Sequence, residues 1–320
     1  MTDLWSLALS SGWSDPVWLN EAFPGNDPNL AGWRIIGVCA THEGSQKEAI
    51  GAGCGPMEET RARVWAEFLE RVAVIEHLAS SCRDLSAFPQ SDRPERYQPA
   101  LTNGAAIGPD WSAACRSGEL EYREREAVLA SWRGGRAPMP RPFPVELCVL
   151  QDRYEWRIYQ LASPSAEVAM ALAWPIQTEG QQRRPLIYGL GAAPRGQWSL
   201  AVTKAWRECL QRVGFLWDEI EASALPPLVP SAGFHQDVYL SRPGREAFER
   251  WLRGERVRNQ VPAPPARPLE FVDLTPELWK AVVRVIKVRP APGAELIFGD
   301  PEGRYNPTLS GREIDVHPIA

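Results

Sequence analysis

Glu121-Tyr122-Arg123-Glu124-Arg125 carries a spacing that recurs in Glu67-Phe68-Leu69-Glu70-Arg71 and in Glu208-Cys209-Leu210-Gln211-Arg212. Residues three or four apart share one face of a helix, so each segment presents an acidic or acid–amide pair with an arginine beside it. Read alone, any one such pair is routine decoration of a solvated helix. Three of them, each inside an apolar-patterned helix, point further. Brought together they would gather five carboxylates, and carboxylates do not gather in an interior unless cations hold them. Mg2+, a hard oxygen-seeking ion, together with a polyphosphate is the natural filler.

Working outward, residues 33–40 read as a buried strand, followed by a glycine cluster at Gly51-Ala52-Gly53-Cys54-Gly55. A helix is expected from about 58 to 79, where Trp65, Phe68, Leu69, Val72 and Ile75 keep a 3.6-residue period. A polar loop covers 82–100, and Thr102-Asn103-Gly104 signals a turn. A second helix is expected over 112–132, and the proline-rich stretch 134–144 is expected to be irregular. Strands are expected at 146–151, 154–161, 166–174 and 186–191. A third helix begins near Ser199, read as its N-cap. Val238-Tyr239-Leu240 reads as a strand, 243–254 as a short helix, 258–268 as a stiff mobile proline-rich loop, and 269–274 and 282–288 as late strands. This mixture lacks a strict βαβ rhythm. It predicts an α/β (α+β) fold of mixed sheets packed with helices, not a doubly wound sheet.

The 320 residues are 44% hydrophobic and 23% charged with a net charge of −5, an ordinary globular balance. A nucleic-acid partner is not expected, since such proteins carry basic surfaces. There is no apolar run long enough for a membrane span, and Met1-Thr2-Asp3-Leu4-Trp5 lacks the features of a signal peptide. Six scattered cysteines without a CxxC pair suggest a reducing, cytoplasmic setting, and four dispersed histidines argue against zinc. Neither Gly51–Gly55 nor Gly189-x-Gly191 has the spacing of a P-loop or a dinucleotide fingerprint, and both read equally well as turns. His235 reads as a packed or hydrogen-bonded histidine.

Thr102-Asn103-Gly104-Ala105-Ala106-Ile107-Gly108, running on to Glu121-Tyr122-Arg123-Glu124-Arg125-Glu126-Ala127, resembles the signature of the YcaO family. Gly51 to Arg71 is similar to that family's glycine-cysteine stretch and following Glu-x-x-Glu-Arg helix. Lys204-Ala205-Trp206-Arg207-Glu208-Cys209-Leu210-Gln211 is similar to its third helix. Phe271-Val272-Asp273-Leu274-Thr275 and Val282-Val283-Arg284-Val285-Ile286 resemble its late strands. The ordered set spans about residues 30–320. The resemblance implies a 1–30 extension followed by one YcaO-like domain over 31–320 with a glutamate-lined nucleotide cleft.

The resemblance implies ATP and Mg2+ as cofactors. Glu67, Glu70, Glu121, Glu124 and Glu208 would hold metal, and Asn103, Arg125, Lys204, Gln211 and Arg71 would contact the nucleotide. His317 and Pro318 are the candidates for a catalytic role at the C-terminal end. The implied reaction is O-phosphorylation of a peptide backbone amide, leading to thiazoline or oxazoline in a ribosomally made peptide. Alternatives are thioamide formation with a TfuA-type partner and a catalytically degenerate scaffold subunit. Ala100, Lys204 and the His317-Pro318-Ile319-Ala320 ending depart from the family pattern and favour the last. Implied partners are a precursor peptide and a leader-binding, E1-like protein or a dehydrogenase subunit, because no leader-recognition module is expected in the chain. A homodimer is the assembly expected from prevalence. The tail is expected to be ordered with Ile319 buried, and deletion of 316–320 to reduce catalysis more than stability.

Overall fold

The computed structural model describes residues 12–80, 84–134, 136–180, 182–255, 268–290 and 295–319. In chain order the strands are β1 (Val17–Ala22), β2 (Trp33–His42), β3 (Lys47–Pro56), β4 (Tyr97–Pro99), β5 (Ala105–Gly108), β6 (Met139–Arg141), β7 (Tyr154–Leu161), β8 (Ala166–Pro175), β9 (Ile187–Pro194), β10 (Glu270–Asp273), β11 (Arg284–Arg289) and β12 (Ile297–Gly299). The helices are α1 (Met57–Ala79), α2 (Trp111–Gly134), α3 (Trp198–Phe215), α4 (Ala232–Tyr239) and α5 (Arg242–Leu252). Every pairing between these strands is antiparallel, so the fold is a mixed α+β arrangement, with no doubly wound sheet among the described residues.

The chain divides into two compact units. The first comprises residues 1–89, 101–122 and 268–291. It contains the sheet β1-β2-β3 and the sheet β10-β11-β5. Helix α1 buries Val64, Phe68, Leu69, Val72 and Ile75 along one stripe, against Ile36, Val38 and Ala49 of the first sheet. The packing is close because β3 offers glycines. A Cβ on Gly51 would lie 2.2 Å from the Val64 carbonyl oxygen, and one on Gly53 2.8 Å from Val64 Cγ2. The glycines expected to form a turn are therefore strand positions that admit a helix. Residues 17–22, inside the stretch read as an extension, pair with residues 34–39 of β2.

The second unit comprises residues 90–100, 123–267 and 292–320. Its main sheet has the order β6-β7-β8-β9, and β12 pairs with β4. Val168 through Ala173 of β8 are all buried, a continuous apolar strand covered on both faces. Helix α3 lies on β8 and β9 and buries Ala201, Ala205, Cys209, Leu210 and Val213. A Cβ on Gly189 or Gly191 would collide with its backbone.

Four further sequence expectations are corrected. Residues 139–141 form β6 despite Pro140, because a proline is accommodated on an edge strand. Residues 145–147 are a short 3-10 turn after Pro144 and not a strand, an ambiguity of short apolar runs. Val238 and Tyr239 end helix α4, which Ser231 caps by accepting from Phe234 N at 3.1 Å. Helix α3 starts at Trp198 with Gln197 as its N-cap, and Ser199 lies inside it. The proline-rich loop expected at 258–268 lies outside the described residues except for Pro268.

Candidate functional site

In the first unit, helix α1 holds Glu67, Glu70 and Arg71. Glu67 Oε1 accepts from Arg71 Nη2 at 2.6 Å, and its Oε2 accepts from the backbone nitrogen of Ala52 at 3.1 Å. Ala52 sits between the two glycines that let the helix approach. The close packing therefore also brings a strand N–H to the carboxylate.

A similar arrangement serves Glu121. Gly118 of α2 packs against Gly104 and Ile286, where a Cβ would stand 2.9 Å from the Gly104 carbonyl oxygen and 2.6 Å from Ile286 Cδ1. Gly104 N lies 3.4 Å from Glu121 Oε1. Gly104 has φ +71, a conformation that favours glycine and shapes the turn holding Asn103. Asn103 is buried, and its carbonyl oxygen accepts from the buried Lys287 Nζ at 2.8 Å. Lys287 also lies 5.3 Å from the centre of the Phe88 ring. The sequence pattern around β11 read as apolar strand, and Lys287 gave no sign of facing inward.

In the second unit, Glu124 and Arg125 continue α2, and Glu208, Gln211 and Lys204 lie on α3. Glu208 Oε1 pairs with Arg212 Nη2 at 3.2 Å, one helical turn on. Lys204 Nζ donates to the Ala192 carbonyl oxygen at 3.0 Å, so in this state it is engaged with backbone. Arg123 of α2 is buried and pairs with Glu126 at 2.9 Å. Arg212 and Arg123 were not expected as site residues. Arg212 shows the same four-residue offset from Glu208 that Arg71 has from Glu67.

All five glutamates are half-buried, whereas Glu58 and Glu59 on the first turn of α1 are exposed. Glu76, Glu119 and Glu126 on the same helices are half-buried too, so burial by itself does not single out the five. Among the described residues no three His, Cys, Asp or Glu side chains form a group able to hold a metal by themselves. The donor chemistry nevertheless fits Mg2+ carried by a polyphosphate. That ion takes one or two carboxylates and completes its shell with phosphate oxygens and water, so an all-protein cage is not required.

The C-terminal segment is packed, and Ile319 is 2% exposed, as expected. Gly299 N donates to His235 Nε2 at 2.8 Å, so Nδ1 of that ring carries the proton and donates to the His317 carbonyl oxygen at 2.9 Å. His317 Nε2 donates to the Ile297 carbonyl oxygen at 2.6 Å, and its Nδ1 accepts from Ile319 N at 3.3 Å. The Tyr239 hydroxyl donates to the Val316 carbonyl oxygen. Both rings are neutral and fully engaged, and burial drives the His235 pKa down to about 4 and that of His317 well below its usual value. Pro318 is buried beside them. Two histidines that looked isolated in the sequence thus clasp the tail by its backbone. An open cleft of about 390 Å3 adjoins the clasp, lined by Trp132, Arg133, Tyr305, Leu309 and His317 among others.

The family model described as YcaO cyclodehydratase, ATP- and Mg2+-binding, matches residues 78–284. A structure of YcaO from Methanopyrus kandleri bound with AMPPCP and Mg2+ is similar over 89% of this chain and 87% of that one, at 17% identity and a TM-score of 0.53. The Escherichia coli microcin synthetase McbBCD complex with pro-MccB17 bound is similar over 86% of this chain and 87% of that one, at 12% identity and a TM-score of 0.51. A heterocyclase in complex with substrate and cofactor covers 87% of this chain and 49% of its own, at 14% identity and a TM-score of 0.52. Identities this low establish likeness of fold. No curated protein sequence matches the chain. Among the described residues no helix is long and apolar enough to cross a membrane.

Proposed function

The chain belongs to the YcaO family, and from that premise we propose that it activates backbone amides of a precursor peptide by ATP- and Mg2+-dependent O-phosphorylation, closing thiazoline or oxazoline rings. An amide oxygen is a very poor leaving group. The nucleotide supplies the phosphoryl group that makes it a good one, and Mg2+ offsets the charge that develops. What this chain contributes is position and electrostatics. Glu67, Glu70, Glu121, Glu124 and Glu208 are the proposed metal ligands, and Asn103, Arg125, Lys204, Gln211 and Arg71 the proposed nucleotide contacts. His317 and Pro318 act by anchoring the tail.

The observation that carries this reading is the fixing of carboxylates by backbone. Glu67 is held by Ala52 N at 3.1 Å and by Arg71 at 2.6 Å. A glutamate oriented in this way loses little further entropy when it meets a cation. The proposed partners are the peptide, a leader-binding E1-like protein or dehydrogenase subunit, and a second copy of the chain.

The test is peptide-dependent phosphate release by the full chain with Mg2+-ATP, with and without such a partner, alongside Mg2+-ATP thermal stabilisation. Stabilisation with turnover supports the enzyme. A second reading, a scaffold subunit without turnover, is favoured by the engagement of Lys204 Nζ with the Ala192 carbonyl oxygen at 3.0 Å. It predicts binding without phosphate release under every partner condition. Thioamide formation would show instead as a requirement for a sulfur donor.

A further inference from the structure

We propose that Arg212 is a positioning residue for Glu208, locked by the face of Tyr188, and that this pair sets how readily Glu208 takes a divalent cation. The proposal rests on the reading of Glu208 as a metal ligand. Three observations support it. The Arg212 guanidinium lies 3.2 Å from Glu208 Oε1, at the i,i+4 spacing that puts both on one helix face. The same guanidinium lies over the Tyr188 ring, 5.1 Å from its centre. Tyr188 is itself held rigidly, with Phe248 at 5.0 Å and Tyr239 edge-on at 6.2 Å between ring centres.

The strand supplies this platform through its alternation. Gly189 and Gly191 of β9 face α3, so Tyr188 and Leu190 point to the opposite face. Arg212 reaches from α3 to a ring rooted in the aromatic cluster of α4 and α5. Its planar fork can both stack on a ring and bond a carboxylate, which a lysine cannot do. Arg212 meets Tyr188 over its ring face, and the buried Tyr188 hydroxyl is near enough to interact with the guanidinium as well. An arginine held this way restricts the rotamers of Glu208 and offsets its charge when no metal is present. It competes only weakly with a metal, because solvent reaches the pair, whose side chains are 17% and 35% exposed. Groups that orient a metal ligand typically change metal affinity by about 10–100-fold when removed.

The experiment is a Mg2+ titration of the full chain with a fluorescent ATP analogue at fixed concentration, reading the Mg2+ midpoint, with melting temperature followed in parallel. Arg212→Gln and Tyr188→Leu are expected to raise the midpoint by about tenfold or more, and Arg212→Lys and Tyr188→Phe by less. In a Glu208→Gln background, Arg212→Gln is expected to add nothing further. Wild-type binding with an unchanged midpoint in Arg212→Gln overturns the proposal and leaves the metal-site reading standing. If the unaltered chain shows no Mg2+-dependent binding, the metal-site reading itself falls, and the proposal with it. If Tyr188→Leu fails to fold, Arg212→Gln and the Glu208→Gln double variant decide the question.

Discussion

A methyl group on Gly189 would stand 2.1 Å from the backbone nitrogen of Cys209, the residue that follows Glu208. Gly51 bears the same relation to α1. A methyl group there would stand 2.9 Å from the nitrogen of Phe68, the residue that follows Glu67. In both places the missing side chain sets the distance from strand to helix, and a proposed metal ligand is the next residue along. Packing and the proposed site therefore depend on the same few positions.

Gly189→Ala is expected to force α3 off β9 at that point. Overpacking of this kind costs about 1–3 kcal/mol, and a clash with backbone has no flexible neighbour to relieve it. The urea midpoint should fall while the slope stays constant, and binding of Mg2+-ATP should weaken because Glu208 moves with the helix.

Glu124→Gln is expected to abolish stabilisation by Mg2+-ATP in a thermal melt. The melting temperature of the nucleotide-free protein should stay close to that of the unaltered chain, since glutamine keeps the size and shape of the glutamate side chain. A wild-type ligand shift in this variant would exclude Glu124 from the site.

The helices that carry the glutamates were legible in the sequence because each has a long apolar stripe with a 3.6-residue period. The role of the glycines was not. Gly51-Ala52-Gly53-Cys54-Gly55 contains no β-branched residues and reads as a turn, yet a glycine strand is what a closely approaching helix needs. The edge strand β1 was missed because all six of its residues are exposed, so it lacks a buried alternation. His235 and His317 are 82 positions apart, and nothing local links them. Arg212 was in view from the start, but its significance depends on Tyr188, which only the sheet brings near.

Lys287→Met keeps the aliphatic stem and removes the donor that holds the Asn103 carbonyl oxygen at 2.8 Å. Stability is expected to fall by about 1–2 kcal/mol for the unsatisfied buried carbonyl. If the Asn103 turn contacts nucleotide, KM for ATP should rise with little change in the KM for peptide. Equal changes in both would assign Lys287 a purely structural role.

Removal of residues 316–320 is expected to lower both stability and turnover, which revises the expectation drawn from sequence. Val316, His317 and Ile319 are all buried, and the Tyr239 and His235 side chains would lose their backbone acceptors. A melting temperature equal to that of the full chain would show that the clasp contributes nothing to folding.

The clasp also makes a pH prediction with a definite sign. Its two imidazoles are neutral when folded, and the His235 pKa is lowered from 6.5 to about 4 by burial. Between these values the unfolded chain binds a proton that the folded chain refuses, so stability rises with pH across this range. The contribution is complete above about pH 6.5, and is lost as the pH falls toward 4. For His235 it amounts to about 3 kcal/mol. His317 acts in the same direction, because its own pKa is depressed by burial and by the neighbouring ring, 4.2 Å away between centres. Protonating either ring would also cost the bond its acceptor nitrogen makes, to Gly299 N or to Ile319 N. The carboxyls of Asp300 and Glu313 are held below their usual values by hydrogen bonds and act in the same direction at the acid end, so the difference between the unaltered chain and His235→Gln is what isolates the histidine. Melting temperatures measured from pH 7 to pH 4.5 should fall steeply in the unaltered chain and clearly less in His235→Gln. Limited proteolysis over the same range should release the C-terminal segment before the rest of the second unit opens. Parallel slopes for the two proteins would show that the pH dependence arises elsewhere and that the histidines are not its source.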